Sequence, residues 1–309
     1  MPQPQNTELV TLKKEAIKNV PSVHDLSYIH FRYHDIPIEF ASPDQDFLGA
    51  IQKMLPKSWL SPAPFNTPTY KVTHYPLEAL GLEEAVFEDE ADSECYIEHL
   101  EACELAYHRD FVALKEIQAG TKNVRAIFTS RVDDGFYNFI RWLISRELIA
   151  AKKVVLHSSV ILGNDNKAYV FLGPSGAGKT TTCHNAEKRL VLGDDMNILI
   201  YSDNKVWAQA GAIGGKFDPQ VPIDQMYEVA GLYWLQQSHE IKLTKLNSAK
   251  AAQVLLVSLA NMFWPSSREQ DKAQAISFVS NIIEATKTYS LQLKNDSSFW
   301  NVIEQDLGS

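Results

Sequence analysis

The chain has 309 residues, 45% of them apolar and 22% charged, with a formal net charge of −9. That length predicts two domains of ordinary globular composition, and the acidic surplus weighs against nucleic acid, whose phosphates are bound by an excess of Lys and Arg. No membrane association is expected: no stretch approaches the ~18 uninterrupted apolar residues of a spanning helix, and the best candidate, "FIRWLISRELIA", carries Arg141, Arg146 and Glu147. The N-terminal "MPQPQNTELVTLKKEA" lacks the apolar run of a signal peptide. Cys95, Cys103 and Cys183 show no paired or metal-type spacing, so reduced thiols in a cytoplasmic protein are expected.

Residues 1 to about 20 are polar and are expected to be mobile. "YIHFRYHDIPIEFA" alternates and is rich in aromatic and β-branched residues, which predicts two strands joined by a tight turn. "SPDQDFLGAIQKMLP" has a Ser/Asp start and a Pro stop, the marks of a short helix. "SWLSPAPFNTPTY" is a Pro-rich loop, and "LEEAVFEDEADSECYIEHLE" is a solvated acidic face or helix. "ELAYHRDFVALKEI" and "NVRAIFTSRV" read as strands. Residues 1–130 therefore form a predicted mixed α/β domain without a chemical motif.

A break follows at "SRVDDG", where Asp133 or Asp134 can cap the next helix. In that helix Phe136, Phe139, Ile140, Leu143 and Leu148 fall near one face. "KVVLHSSVILG" and "KAYVFLG" flank the turn "NDN" as a hairpin or two sheet strands. "TTCHNAEK" is a predicted helix and "RLVLGDD" a strand. "GLYWLQQ" and "IKLTKL" are expected to pair. "SAKAAQVLLVSLANMF" and "REQDKAQAISFVSNIIEA" are helices, "TYSLQL" is a strand and "SSFWNVIEQ" is a helix.

Between the second strand of that hairpin and the next helix lie Gly173, Pro174, Ser175, Gly176, Ala177, Gly178, Lys179 and Thr180, followed by Thr181. They fit the phosphate-loop pattern G-x-x-x-x-G-K-[ST] in strand–loop–helix context. Its glycines let backbone N–H groups turn toward phosphate oxygens, and the helix N-terminus adds its positive dipole end. Lys179 would reach the outer phosphates of a nucleotide, and the Thr180 hydroxyl would be a Mg²⁺ ligand. Asp194 and Asp195 end an apolar strand 15 and 16 residues after Lys179. One carboxylate can hold Mg²⁺ while the other accepts a proton from an attacking hydroxyl. The alternative is a turn with one solvated Asp. His157, alone on an apolar strand, reads on spacing as a satisfied core residue.

His157-Ser-Ser, "GPSGAGKT" and "LGDD" in this order resemble the HPr kinase/phosphorylase family, whose fold is a phosphate-loop fold like that of phosphoenolpyruvate carboxykinase. The short distance from loop to Asp-Asp is characteristic of that group. The resemblance runs from about residue 135 to 309. It implies a kinase domain over 131–309 with a mixed sheet and flanking helices. It also implies ATP or another nucleoside triphosphate, Mg²⁺, and transfer to a serine hydroxyl of a protein or precursor peptide. His157 would then assist phosphoryl transfer, and Asp194 and Asp195 would share metal binding and activation of the hydroxyl. Apart from the resemblance, the size of residues 1–130 and their lack of a catalytic motif point to a role in recruiting the acceptor. The family includes hexamers, which keeps a homo-oligomer among the open assembly states.

One departure stands out. The bifunctional members carry a metal-binding Glu in a long signature after the Asp-Asp strand, whereas the corresponding "VWAQAGAIGGKFDPQVP" has no Glu. This points away from HPr as acceptor and from the reverse phosphorolysis. Gly211, Gly214, Gly215 and Lys216 in that stretch fit a second loop near the phosphates as well as they fit a turn with a solvated lysine. A small-molecule kinase and a nucleotide-binding regulator with little turnover are the alternative functions.

Overall fold

The computed structural model describes residues 7–83, 95–130, 132–213, 215, 217, 221–223 and 225–307. Among them, seven α-helices and two mixed eight-stranded sheets make an α/β protein. The chain divides into two compact units: Met1–Ile144 with Phe263–Ser267, and Ser145–Met262 with Arg268–Ser309.

The first unit begins with α1 (Thr7–Lys18), the hairpin β1 (Ser27–Tyr33) and β2 (Ile36–Ser42), and α2 (Gln45–Met54). Next come β3 (Leu60–Ser61), β4 (Tyr70–His74), β5 (Tyr96–His99), β6 (Cys103–Tyr107), β7 (Phe111–Glu116) and β8 (Lys122–Phe128). Helix α3 (Val132–Ala150) carries the chain to the second unit. The sheet order is β3-β1-β2-β4-β8-β7-β6-β5, with β2, β4 and β8 parallel at its centre. Phe136, Phe139, Ile140 and Leu143 of α3 are all buried, as their helical spacing predicts. Phe139 meets Phe128 edge-on at 5.2 Å, an arrangement aromatic pairs prefer. The Asp44 side chain caps α2 by accepting from the Phe47 N–H.

Three local expectations change in this unit. Residues 7–18 form a helix, not a mobile tail. Ile17 is fully buried with Leu105, Val112 and Ile127. Lys13 is also buried. Arg125 donates to the Lys18 carbonyl at the C-terminal end of α1, where helix carbonyls lack partners of their own. The Pro-rich stretch contains the short strand β3, which pairs with β1. Asp133 and Asp134 lie within α3, not ahead of it; their side chains, and residues 84–94 of the acidic stretch, lie outside the described residues.

The second unit is built from β9 (Lys153–Leu162), β10 (Ala168–Leu172), α4 (Lys179–His184), β11 (Leu190–Gly193), β12 (Met196–Ser202), β13 (Lys205–Ile213) and β14 (Met226–Gln237). It closes with β15 (Lys242–Lys245), α5 (Ser248–Ser258), α6 (Glu269–Ala285), β16 (Thr288–Leu293) and α7 (Phe299–Leu307). β9 and β10 form the expected antiparallel hairpin. β10 also pairs in parallel with β14, so the order β10-β9-β12-β13-β14 closes on itself. The predicted direct pairing of β14 with β15 does not occur. β16 lies between them, parallel to β14 and antiparallel to β15. α5 ends at Ser258, five residues before the expected Phe263. The chain there turns to cover the edge of β9: the Ala260 N–H donates to the Val155 carbonyl at 2.8 Å, and Asn261 Oδ1 accepts from the Val155 N–H at 3.1 Å. Those edge groups would otherwise be buried without partners.

Candidate functional site

β10 is buried along its whole length and delivers the glycine-rich loop at its C-terminal end. His157, Lys179, Thr180, Asp194 and Asp195 line one cleft of about 350 Å³. Ser175, Gly176, Gly178, Thr181 and Gly215 complete its wall. Gly173, Pro174 and Ala177 of the same loop do not line it. The first two serve Lys179 through their carbonyls, and Ala177 packs into the apolar core of this unit.

The loop is held from three directions. Gly178 sits at φ 111°, a left-handed conformation that glycine alone adopts without a side-chain clash, and this sends the chain into α4. Lys179, 7% exposed, donates from Nζ to the Gly173 carbonyl at 2.8 Å and the Pro174 carbonyl at 3.1 Å. Burial pushes its pKa below the usual lysine value, while the Asp195 charge pulls it back up. Gln237, at the end of β14, donates from Nε2 to the Gly176 carbonyl at 2.7 Å. Behind the loop, Ser159 and Thr182 hydroxyls lie 3.0 Å apart, tying β9 to α4.

Asp194 and Asp195 leave β11 with different surroundings. Asp194 is 4% exposed, and its Oδ1 accepts from the Phe217 N–H at 3.3 Å. Gly215 lies against the same carboxylate: a Cβ there would sit 1.9 Å from Oδ1, so only glycine permits this approach. Asp195 is more open, its side chain 33% exposed and its Oδ1 3.3 Å from His157 Nε2. The backbone fixes this pair. The Ser158 N–H donates to the Asp195 carbonyl at 2.7 Å, and the Asn197 amide donates to the Ser158 carbonyl at 2.7 Å. His157 thus faces the cleft with its side chain 45% exposed, in contrast to the core placement that its spacing suggested.

Burial raises the Cys183 thiol to about 12, with the Asp194 charge adding to the rise, so the cysteine nearest the cleft stays a thiol. Of the second glycine-containing stretch, Gly215 reaches the cleft; Gly214 and Lys216 lie outside the described residues. Gln237, Asn197 and Phe217 escape a motif reading, because strand pairing and a loop return bring them in. The Ser-Ser after His157 was the one local hint of the hydroxyl contacts.

Thr180, Asp194 and Asp195 present oxygen donors of the type Mg²⁺ takes. Among the described residues no group of three or more His, Cys, Asp or Glu side chains could hold a metal. A metal here would need phosphate oxygens as well, which is how Mg²⁺ binds in nucleotide sites. The donor set fits Mg²⁺ in that manner.

Fold and cleft together define an α/β protein whose glycine-rich loop, backed by a short helix, faces two carboxylates and a histidine. The chain belongs to the ScmC family of SynChlorMet cassette proteins, whose family model matches residues 140–308, more than half its length. No curated protein matches the chain. Among solved structures, the Hpr(Ser) kinase/phosphatase from Coxiella burnetii is similar at 8% identity, covering 50% of this chain and 99% of its own, with a TM-score of 0.30. No helix among the described residues is long and apolar enough to cross a membrane.

Proposed function

We propose that this protein is an ATP-dependent kinase of the HPr-kinase type, requiring Mg²⁺, that phosphorylates a serine hydroxyl of a protein or precursor peptide. The observation that carries this reading is the convergence of Lys179, the loop, Asp194, Asp195 and His157 on one cleft. Such transfer depends on positioning and charge neutralisation more than on covalent chemistry by the protein. The loop N–H groups bind and orient the nucleotide phosphates, and Lys179 exchanges its carbonyl partners for a phosphate oxygen. Thr180 and Asp194 would hold Mg²⁺, which neutralises phosphate charge when bound. Asp195 orients the acceptor hydroxyl and takes its proton as that oxygen bonds to the γ-phosphorus and the bond to the ADP oxygen breaks. His157 holds the Asp195 carboxylate toward the cleft. The first unit, which holds none of these groups, is assigned to acceptor recruitment. The family name describes a cassette protein, so a peptide or protein of the same cassette is the acceptor to try first.

The test incubates the purified chain with γ-labelled ATP, Mg²⁺ and a lysate of its source cells, with Asp195→Asn as control. Label on a protein or peptide serine that is lost in the variant is the expected result. Label on a metabolite would replace this reading by a small-molecule kinase. Measured nucleotide binding with no transfer would replace it by a nucleotide-binding regulator.

A further inference from the structure

The second unit holds another cavity, of about 220 Å³, formed by the end of α3, the start of β9, Tyr201 of β12 and one face of α6. It shares no residue with the cleft of the phosphate loop. Its chemistry is two-sided. Ile149, Val154 and Phe278 supply apolar surface, and all three are buried. Lys152 and Lys153, adjacent in sequence, also line the cavity. Gln274, Ser277 and Asn281 line the cavity from α6 at spacings of three and four residues, which puts them on one helix face. No acidic side chain is among the described residues that line it, in a chain whose net charge is −9.

Lys152, Gln274 and Ser277 are exposed and Asn281 is partly buried, so their polar groups form a solvated rim around the cavity. Lys152 also occupies a left-handed position, φ 56°, at the exit from α3. Glycine or asparagine relaxes that conformation and lysine does not.

We propose that this cavity is a second binding site, for a small organic anion: a carboxylate or phosphate head between Lys152 and Lys153, and an apolar body against Phe278. Its volume lies below the roughly 300 Å³ at which drug-sized pockets begin, so the body is about the size of a single aromatic ring. Uncharged hydrogen-bonding groups of such a ligand would meet Gln274, Ser277 and Asn281.

The test titrates the full chain with benzoate and with phenyl phosphate by calorimetry, with benzamidine as the cationic counterpart of the same shape. Saturable binding of at least one anion is expected, with none for benzamidine. Lys152→Glu should weaken it at least tenfold. Ser277→Trp, a change at an exposed helix position that fills the cavity, should do the same. Lys179→Ala should leave benzoate affinity unchanged, which separates this site from the phosphate loop. The anion that binds more tightly identifies the head group. No saturable binding of either anion, equal binding of benzamidine, or affinity untouched by both cavity variants would overturn the proposal.

Discussion

Buried charge is handled differently in the first sheet and at the cleft of the phosphate loop. In the first unit, ionisable side chains answer one another. Lys115 Nζ lies 2.9 Å from Glu104 Oε1, both nearly inaccessible, and the lysine also caps the Trp142 ring at 4.6 Å. His108 and Asp110 meet at 3.3 Å, each 1% exposed. At the cleft of the second unit, the buried Lys179 donates to two neutral carbonyl oxygens, with the Asp195 charge also acting on it. A charge cancelled by a fixed opposite charge is spent on the fold. A charge held by neutral dipoles keeps its field and can exchange those partners for a ligand. The contrast sets the ion-paired core of the first unit against the cleft proposed to carry the chemistry.

The largest effect that would sharpen this contrast lies in the first unit. Lys115→Ala leaves the buried Glu104 without its ammonium partner, with His99 still 3.1 Å from Oε2, a loss of about 3 kcal/mol. A lowered urea midpoint with unchanged nucleotide affinity is the expected outcome. A stable Lys115→Ala variant would break the comparison. Next comes Lys179→Ala, for which phosphoryl transfer is expected to fall on the order of 10²–10³-fold while the urea midpoint barely moves. Normal turnover would remove the loop from the mechanism.

A smaller effect concerns pH. His74 is buried, stacked on Phe47 at 3.8 Å, with Nδ1 2.9 Å from the Ser42 hydroxyl. Burial lowers its pKa from 6.5 to about 4, with Asp44 opposing the shift. The unfolded chain therefore takes up a proton near 6.5 that the folded chain refuses until about 4. Stability is fully present above 6.5 and declines as the pH falls toward 4, by about 2–3 kcal/mol. His74→Gln should flatten that part of the urea-midpoint profile, and an unchanged slope would assign it elsewhere. The smallest effect is expected for Gln237→Ala. Losing one hydrogen bond to the Gly176 carbonyl should weaken nucleotide binding by about 1 kcal/mol, roughly fivefold, with no change in the urea midpoint.

Legibility followed locality. The β9–β10 hairpin, the loop between strand and helix, and the buried face of α3 were readable because their signals lie within a few residues. The parallel partners were not. β16 enters between β14 and β15 from more than forty residues downstream, and no periodicity in "IKLTKL" announces that. Helix α1 was hidden by its lysines, which look solvent-bound until Lys13 is seen buried and Lys14 paired with Glu98. At the cleft, residue types were legible and their partners were not. Asp194 and Asp195 are chemically alike in sequence. Only the return of the chain at Gly215 and Phe217 makes one of them enclosed and the other open.

The closure of the second sheet has a consequence for hydrogen exchange. β10 is paired along both edges, to β9 and to β14, within a circuit that has no free end. Its amides cannot be released by fraying from a sheet margin. Two seams must open together, so residues 168–172 are expected to exchange among the slowest in the unit. The glycine-rich loop grows directly from that strand. A segment proposed to rearrange around phosphate is thus anchored at one end to the part of the sheet least able to move, which confines any rearrangement to the residues after Leu172.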